Sequence, residues 1–386
     1  MEKHCFHLFP ETFLWCKNKM GLVYNSKTGN GFRFINDKSV RQITEKLNNM
    51  ANLYCIEIES NDTKDLSIVE FIEKVQAIQG GKLVKQIPGQ PNPIVLPPLL
   101  NLQSDIERLR KESPILVGEH VLDYLHEVFL HVNTLEDKTQ VMKNLDFFRI
   151  DNFLESVLFS SVSHIHICGE DVVAYPDLML LIDKLDKMHL KKSIHIKSSR
   201  LEKQEDLPDI FTGSQYQLVV EIDTFLDTNR FDFVITILTN KKVNVAWHFY
   251  IKSVKEYEFA ESLIKKYNFE NSEIKPAYTG ENRQFFEYNI YLTEDDLQSP
   301  GLNKREIFAH QALNTNDFGK LAITSDGKVY ANPHFPALGI IEDDIRELVY
   351  KEMDQGTSWR RIRVMKPCCD CVYQWLCPSP SNYELA

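Results

Sequence analysis

No apolar run in the chain approaches the roughly 20 residues that a membrane span requires. The opening residues, MEKHCFHLFPE, also lack the apolar core of a secretory signal. No membrane partner is expected, and the expected location is cytoplasmic. Positive charge is scarce as well: 44 Lys and Arg stand against 55 Asp and Glu, a formal net charge of -11. Phosphate neutralisation needs clustered Lys and Arg, and no basic stripe occurs, so nucleic acid is not an expected partner. Cysteines are few and unevenly placed. Four are scattered (Cys5, Cys16, Cys55, Cys168) and four lie within CCDCVYQWLC, a clustering that favours metal ligation over a disulfide framework. What is present is otherwise the composition of an ordinary globular protein, and 386 residues are comfortable for two or three domains.

Residues 5–36 read as three short strands, Thr12–Lys17, Gly21–Asn25 and Gly31–Ile35, separated by NKMG and SKTGNG turn signals. Val40, Ile43 and Leu47 then mark a helix, and Ser67 and Glu70 form a candidate capping box before Ile68, Phe71, Ile72 and Val75. Three strands followed by helices predict a small domain over 1–87, ending near Gly80-Gly81. In order and size it resembles the winged-helix-like peptide-recognition element of ribosomal-peptide maturases. That resemblance implies that a precursor's leader adds as a strand beside the third strand. Phe32, Arg33 and Phe34 would receive it, with Phe71 and Val75 lining the groove. Residues 88–118 are a Pro-rich linker (PGQPNPIVLPP) and a helical segment, Leu102–Lys111.

Over 119–300 strands alternate with helices at roughly 30-residue spacing, as in right-handed βα crossovers. The candidate strands are Glu127–Val132, His164–Cys168, Ser193–Lys197, Gln217–Asp223, Val243–Tyr250 and Glu287–Leu292. The expected fold class is therefore α/β, a partial (β/α)6 TIM-like barrel. If the branched residues of these strands face outer helices, the other phase carries His131, Asn133, His164, His166, Cys168, His195, Lys197, Glu221, Asp223, Asn244, His248 and Tyr250. A barrel interior filled for stability would be apolar, so a polar face points to a bound polar ligand. One reading of His131, His166, His195 and His248 is a zinc site with an open water position, and hence a metal-dependent hydrolase or transferase.

HIHICGEDVVAYPDL, residues 164–178, is a strand, a turn and a helix start. It resembles the second βα unit of radical S-adenosylmethionine peptide maturases, in which a GGEP turn meets the amino group of the cofactor's methionine. Gly169 and Glu170 match; Cys168 and Asp171 replace the first glycine and the proline. The family's cluster loop, Cys-x3-Cys-x2-Cys, occurs nowhere in the chain. The resemblance thus implies no catalytic [4Fe-4S] cluster, and S-adenosylmethionine is not expected to bind. Over 301–386, the hairpin LAITSDGKVYANP and Cys368-x2-Cys371-x5-Cys377 resemble the SPASM extension of those enzymes, with Asn332 and Ser381 where cysteines are expected. One structural zinc held by Cys368, Cys371 and Cys377, with His334 or Cys369 as fourth ligand, is the physically sensible occupant, and a residual auxiliary iron-sulfur cluster is the alternative. The whole chain resembles pseudo-radical-SAM/SPASM proteins of double-glycine-leader peptide systems. Their implied role is non-catalytic: binding the precursor peptide beside a true radical maturase.

Overall fold

The computed structural model describes residues 4–59, 62–87, 89, 91–99, 120–136, 141–201, 215–222, 228–298 and 301–385. The chain forms two compact units, one of Met1–Arg108, Leu292–Thr315 and Arg361–Pro380, the other of Leu109–Tyr291, Asn316–Arg360 and Ser381–Ala386. Residues expected as one tail, 301–386, are thus shared between the units. The expected linker helix at Leu102–Lys111 lies outside the described residues.

The first unit begins β1 (His4–Leu8), β2 (Thr12–Lys17), β3 (Met20–Asn25), β4 (Asn30–Ile35), α1 (Lys38–Asn48), β5 (Cys55–Ile58), α2 (Leu66–Ala77) and β6 (Gly81–Lys85). The three expected strands form an antiparallel sheet in the order β2-β3-β4. Side chains alternate across it. Leu14, Val23 and Phe34 face a core with Val40, Ile43 and Leu47 of α1 and Ile68, Phe71, Ile72 and Val75 of α2. Phe13, Leu22 and Tyr24 pack instead on Ile307, Val372, Tyr373 and Leu376. Helix α2 starts one residue before the expected cap: Asp65, not Ser67, accepts the free amide, from Ser67 N at 3.0 Å. A second sheet, β5-β1-β6, was not legible in the sequence, and β6 begins at the glycine where the module was expected to end.

The second unit holds β7 (Glu127–Leu135), β8 (Met142–Asn144), α3 (Phe147–Val157), β9 (His164–Gly169), α4 (Leu178–Asp186), β10 (Lys191–Lys197), α5 (Ser198–Leu201), β11 (Gln217–Ile222), α6 (Thr228–Asn240), β12 (Val245–Ile251), α7 (Val254–Tyr267), β13 (Ser272–Pro276), α8 (Arg283–Asn289), β14 (Lys320–Ile323), β15 (Lys328–Tyr330) and β16 (Gly339–Ile340). These strands make one ten-stranded sheet, ordered β13-β12-β11-β10-β9-β7-β14-β15-β16, with β8 paired to β7. Strands β7 and β9 to β13 are parallel, and β14 adds parallel to β7 on the other side. The fold is mixed α/β with a large parallel sheet.

The sixth strand is Ser272–Pro276, a correction to Glu287–Leu292. Phe286 is fully buried, and Ile290 N and Tyr291 N bond back to its carbonyl at 3.0 and 2.9 Å, so that stretch winds as the end of α8. One face of the sheet is the main core, where Val128, Leu130, Ile165, Ile167, Ile194, Val220 and Phe249 meet Phe153 of α3, Leu181 of α4 and Phe231 of α6. Among the described residues no helix is long and apolar enough to cross a membrane.

Candidate functional site

Two recessed surfaces carry the candidate residues, one in each unit. In the first, β4 pairs only with β3, and no other described strand adds to its outer edge. Beside it lies a groove of about 310 Å³ lined by Phe32, Arg33, Phe34, Phe71 and the α2 residues Ser67 and Lys74. Its floor is aromatic: the Phe34 and Phe71 ring centres are 4.9 Å apart, and Phe32 lies 6.2 Å from Phe71. Val75, expected to line the groove, does not; it is fully buried beneath it in the core. The Arg33 guanidinium donates to Glu294, the first residue of the helix Glu294–Gln298, and the Tyr373 hydroxyl donates to the other oxygen of that carboxylate at 3.4 Å.

The second surface is the polar face of the parallel sheet. Register carries a line of aromatic and titratable side chains across the strands: Phe129 pairs with His166, Glu221 with His248, and His248 with Glu273. His166 Nδ1 lies 3.1 Å from His195 Nε2, and His195 Nδ1 lies 3.0 Å from the Glu221 carboxylate. Glu127 stands 3.6 Å from His166 Nε2 at one end. At the other, Lys275 Nζ donates to His248 Nδ1 at 3.1 Å. Phe129 stacks flat on His166, centres 4.1 Å apart. Burial lowers the pKa of His131 and His166 and pushes His164 and His248 down to about 4, the neighbouring His166 and Lys275 charges adding to the effect on the latter two. These rings are neutral at pH 7. Burial works to raise the Glu221 carboxyl, but the His195 bond and nearby positive charges outweigh it and the pKa falls.

A cavity of about 880 Å³ opens on this face, and His131, His195, Glu221, Lys197, Tyr250 and Lys275 are among its walls. His166 and His248 do not line it but are linked to its wall residues by hydrogen bonds, whereas Asp223 lies outside the described residues. Sequence reasoning missed Glu127, Glu273, Lys275 and Phe129, the first because it opens its strand and Glu273 and Lys275 because β13 was misplaced.

Gly169 and Glu170 also border the cavity. Glu170 accepts from Lys197 Nζ at 2.6 Å and from Arg200 at 3.1 Å, and the Lys197 bond is the main cause holding its carboxyl below the usual range. Asn133 clamps the turn: its amide donates to the Asp171 carbonyl at 2.6 Å and accepts from Asp171 N at 3.1 Å. A side chain at position 169 would run into that amide oxygen, so glycine is required by space. Cys168 is buried, which pushes its thiol well above the ordinary value and leaves it protonated and inert.

Among the described residues no group of three or more His, Cys, Asp or Glu side chains is placed to hold a metal ion. The expected zinc of Cys368, Cys369, Cys371, Cys377 and His334 is therefore not assembled. Cys368 accepts from Arg363 at 3.6 Å, and Cys371 is exposed. In the lumen, both nitrogens of His195 face partners, His166 on one side and the Glu221 carboxylate on the other.

No family model matches the chain, and no curated protein matches it. Solved structures do. The chain is similar to Streptococcus suis SuiB bound to the precursor peptide SuiA, at 13% identity over 100% of this chain and 96% of that one, TM-score 0.42. It is similar to SuiB bound to S-adenosylmethionine, at 14% identity over 98% and 96%, TM-score 0.41. It is also similar to native anSMEcpe with bound AdoMet, at 12% identity over 65% and 88%, TM-score 0.43. Two of these three structures hold S-adenosylmethionine, and the expectation that this chain does not bind it is withdrawn.

Proposed function

We propose that this protein binds the leader of a ribosomally made precursor peptide along β4 and presents it to a radical S-adenosylmethionine maturase, without performing the radical step itself. The observation that carries the reading is the outer edge of β4, to which no described strand adds, beside an aromatic groove containing Phe32, Arg33, Phe34 and Phe71. A peptide strand added there gains main-chain hydrogen bonds from the edge and side-chain selectivity from the groove. The radical step falls to the partner because the chain has no Cys-x3-Cys-x2-Cys loop to hold an iron with an open position. In this reading the second unit keeps the α/β frame of a maturase barrel, and its 880 Å³ polar cavity accommodates part of the core peptide or a small polar ligand.

The deciding experiment is titration of the full chain with precursor peptides encoded beside its gene, followed by fluorescence anisotropy. Phe32→Ala and Arg33→Glu are each expected to weaken leader binding about tenfold or more. Unchanged affinity in both variants overturns the groove. The presentation role is tested by reconstituting the protein with iron and sulfide: formation of 5'-deoxyadenosine from S-adenosylmethionine would show that it carries out the radical step itself.

A further inference from the structure

The outer face of the second sheet in the first unit carries a thiol pair that the peptide groove does not use. In register, β1 and β5 run antiparallel with Cys5 opposite Glu57 and His7 opposite Cys55. Directly opposed residues point to the same side of a sheet, so Cys5, His7, Cys55 and Glu57 share one face, while Phe6, Leu8, Ile56 and Ile58 turn into the core. Cys5 and Cys55 are therefore diagonal neighbours. Their Sγ atoms stand 2.6 Å apart, and both thiols are free. Sulfurs this close need to move only about half an ångström to bond.

The surroundings separate the two sulfurs by role. Cys5 is 1% exposed and Cys55 is half-buried, so an oxidant in solution meets Cys55 first. His7 lies directly across from Cys55. Burial lowers its pKa and the charge of Lys82 lowers it further, so the ring is neutral. Burial of Cys5, with the neighbouring sulfur second, pushes its thiol up to about 12, so it stays protonated and follows Cys55 in reacting.

We propose that Cys5 and Cys55 are a dithiol modification site that closes to a disulfide by exchange with a low-molecular-weight disulfide. The Cys55 thiolate attacks one sulfur of the small disulfide, forming a mixed disulfide and expelling one thiolate. The Cys5 sulfur then attacks the Cys55 sulfur and expels the second thiolate, which takes up the Cys5 proton. Two protein thiols are oxidised, one small disulfide is reduced to two thiols, and the two protons end on the leaving groups. The new bond closes the loop from residue 5 to residue 55, which contains β2, β3, β4 and α1, so it ties down the segment bearing the edge strand.

The test treats the full chain with oxidised glutathione, blocks remaining thiols, and maps peptides by mass spectrometry. The expected product is a peptide pair linked through Cys5 and Cys55, about 2 Da lighter than the sum of its free thiols. It should be absent in Cys55→Ser and Cys5→Ala and retained in Cys168→Ser. The oxidised protein should melt several degrees higher than oxidised Cys55→Ser. Two results overturn the site: glutathione remaining on Cys55 without closure, or links formed only among Cys368, Cys369, Cys371 and Cys377. Circular dichroism of each variant separates loss of the link from loss of the fold.

Discussion

The groove beside β4 and the polar face of the parallel sheet are both recessed and both carry charge, yet their polar groups are satisfied in opposite ways. Along the groove, no described strand pairs with the outer edge of β4, and the Arg33–Glu294 pair is about half exposed. On the sheet face, His166, His195 and Glu221 are hydrogen-bonded in series and Lys275 donates to His248, all mostly shielded from water. A surface with unsatisfied main-chain groups has something to offer an incoming peptide strand. A surface whose charges already answer each other keeps its shape and accepts a ligand only by exchanging internal bonds for external ones. This is why the first surface carries the functional proposal and the second is assigned only an accommodating role.

The comparison breaks most readily at Phe71, which belongs to both groove and core. Phe71→Ala is expected to cost about 3–5 kcal/mol in urea unfolding of the first unit, and leader binding should fall with it. Next is Glu221→Ala, which leaves the His195 ring without its carboxylate. A loss of about 1–3 kcal/mol in the second unit is expected, with leader affinity unchanged; no loss in urea unfolding would mean that the line of bonds contributes nothing.

A third prediction uses pH. His164 and His248 are held near 4 in the folded chain, against about 6.5 when unfolded. Between those values the unfolded state binds protons that the folded state refuses. Stability from these rings is full above pH 6.5 and lost as pH falls toward 4, by about 1–2 kcal/mol per ring. Thermal melts across that range should show the fall, and His248→Phe should flatten it. The smallest expected effect is Arg33→Ala, which removes a solvent-screened pair and should change stability by less than about 1 kcal/mol while still weakening leader binding. Equal losses in both measurements would make Arg33 structural.

Much of this was legible in one dimension. Alternation separated Ile165 and Ile167 from His164 and His166, and the same phase rule placed His195, Glu221 and His248 on one face. It could find β2, β3 and β4 because turns join them directly. It missed β1, β5 and β6, which are four or five residues long and pair across long stretches of intervening chain, Leu8 meeting Gly81 and His7 meeting Cys55. It misplaced the sixth strand because SEIKP has one branched residue, whereas the segment ending in EYNIYL has several apolar residues.

The sequence by itself determined which side chains alternate, where the chain turns, and that the turn at Gly169 and Glu170 lacks a cluster loop before it. Only the tertiary structure decided what those side chains meet: that Lys197 and Arg200 occupy Glu170, that Val75 lies under the groove, and that Cys5 lies against Cys55. Periodicity is a property of neighbouring residues along the chain and is set by backbone geometry. Register between strands, and with it every hydrogen bond across the sheet, depends on how distant segments close against one another.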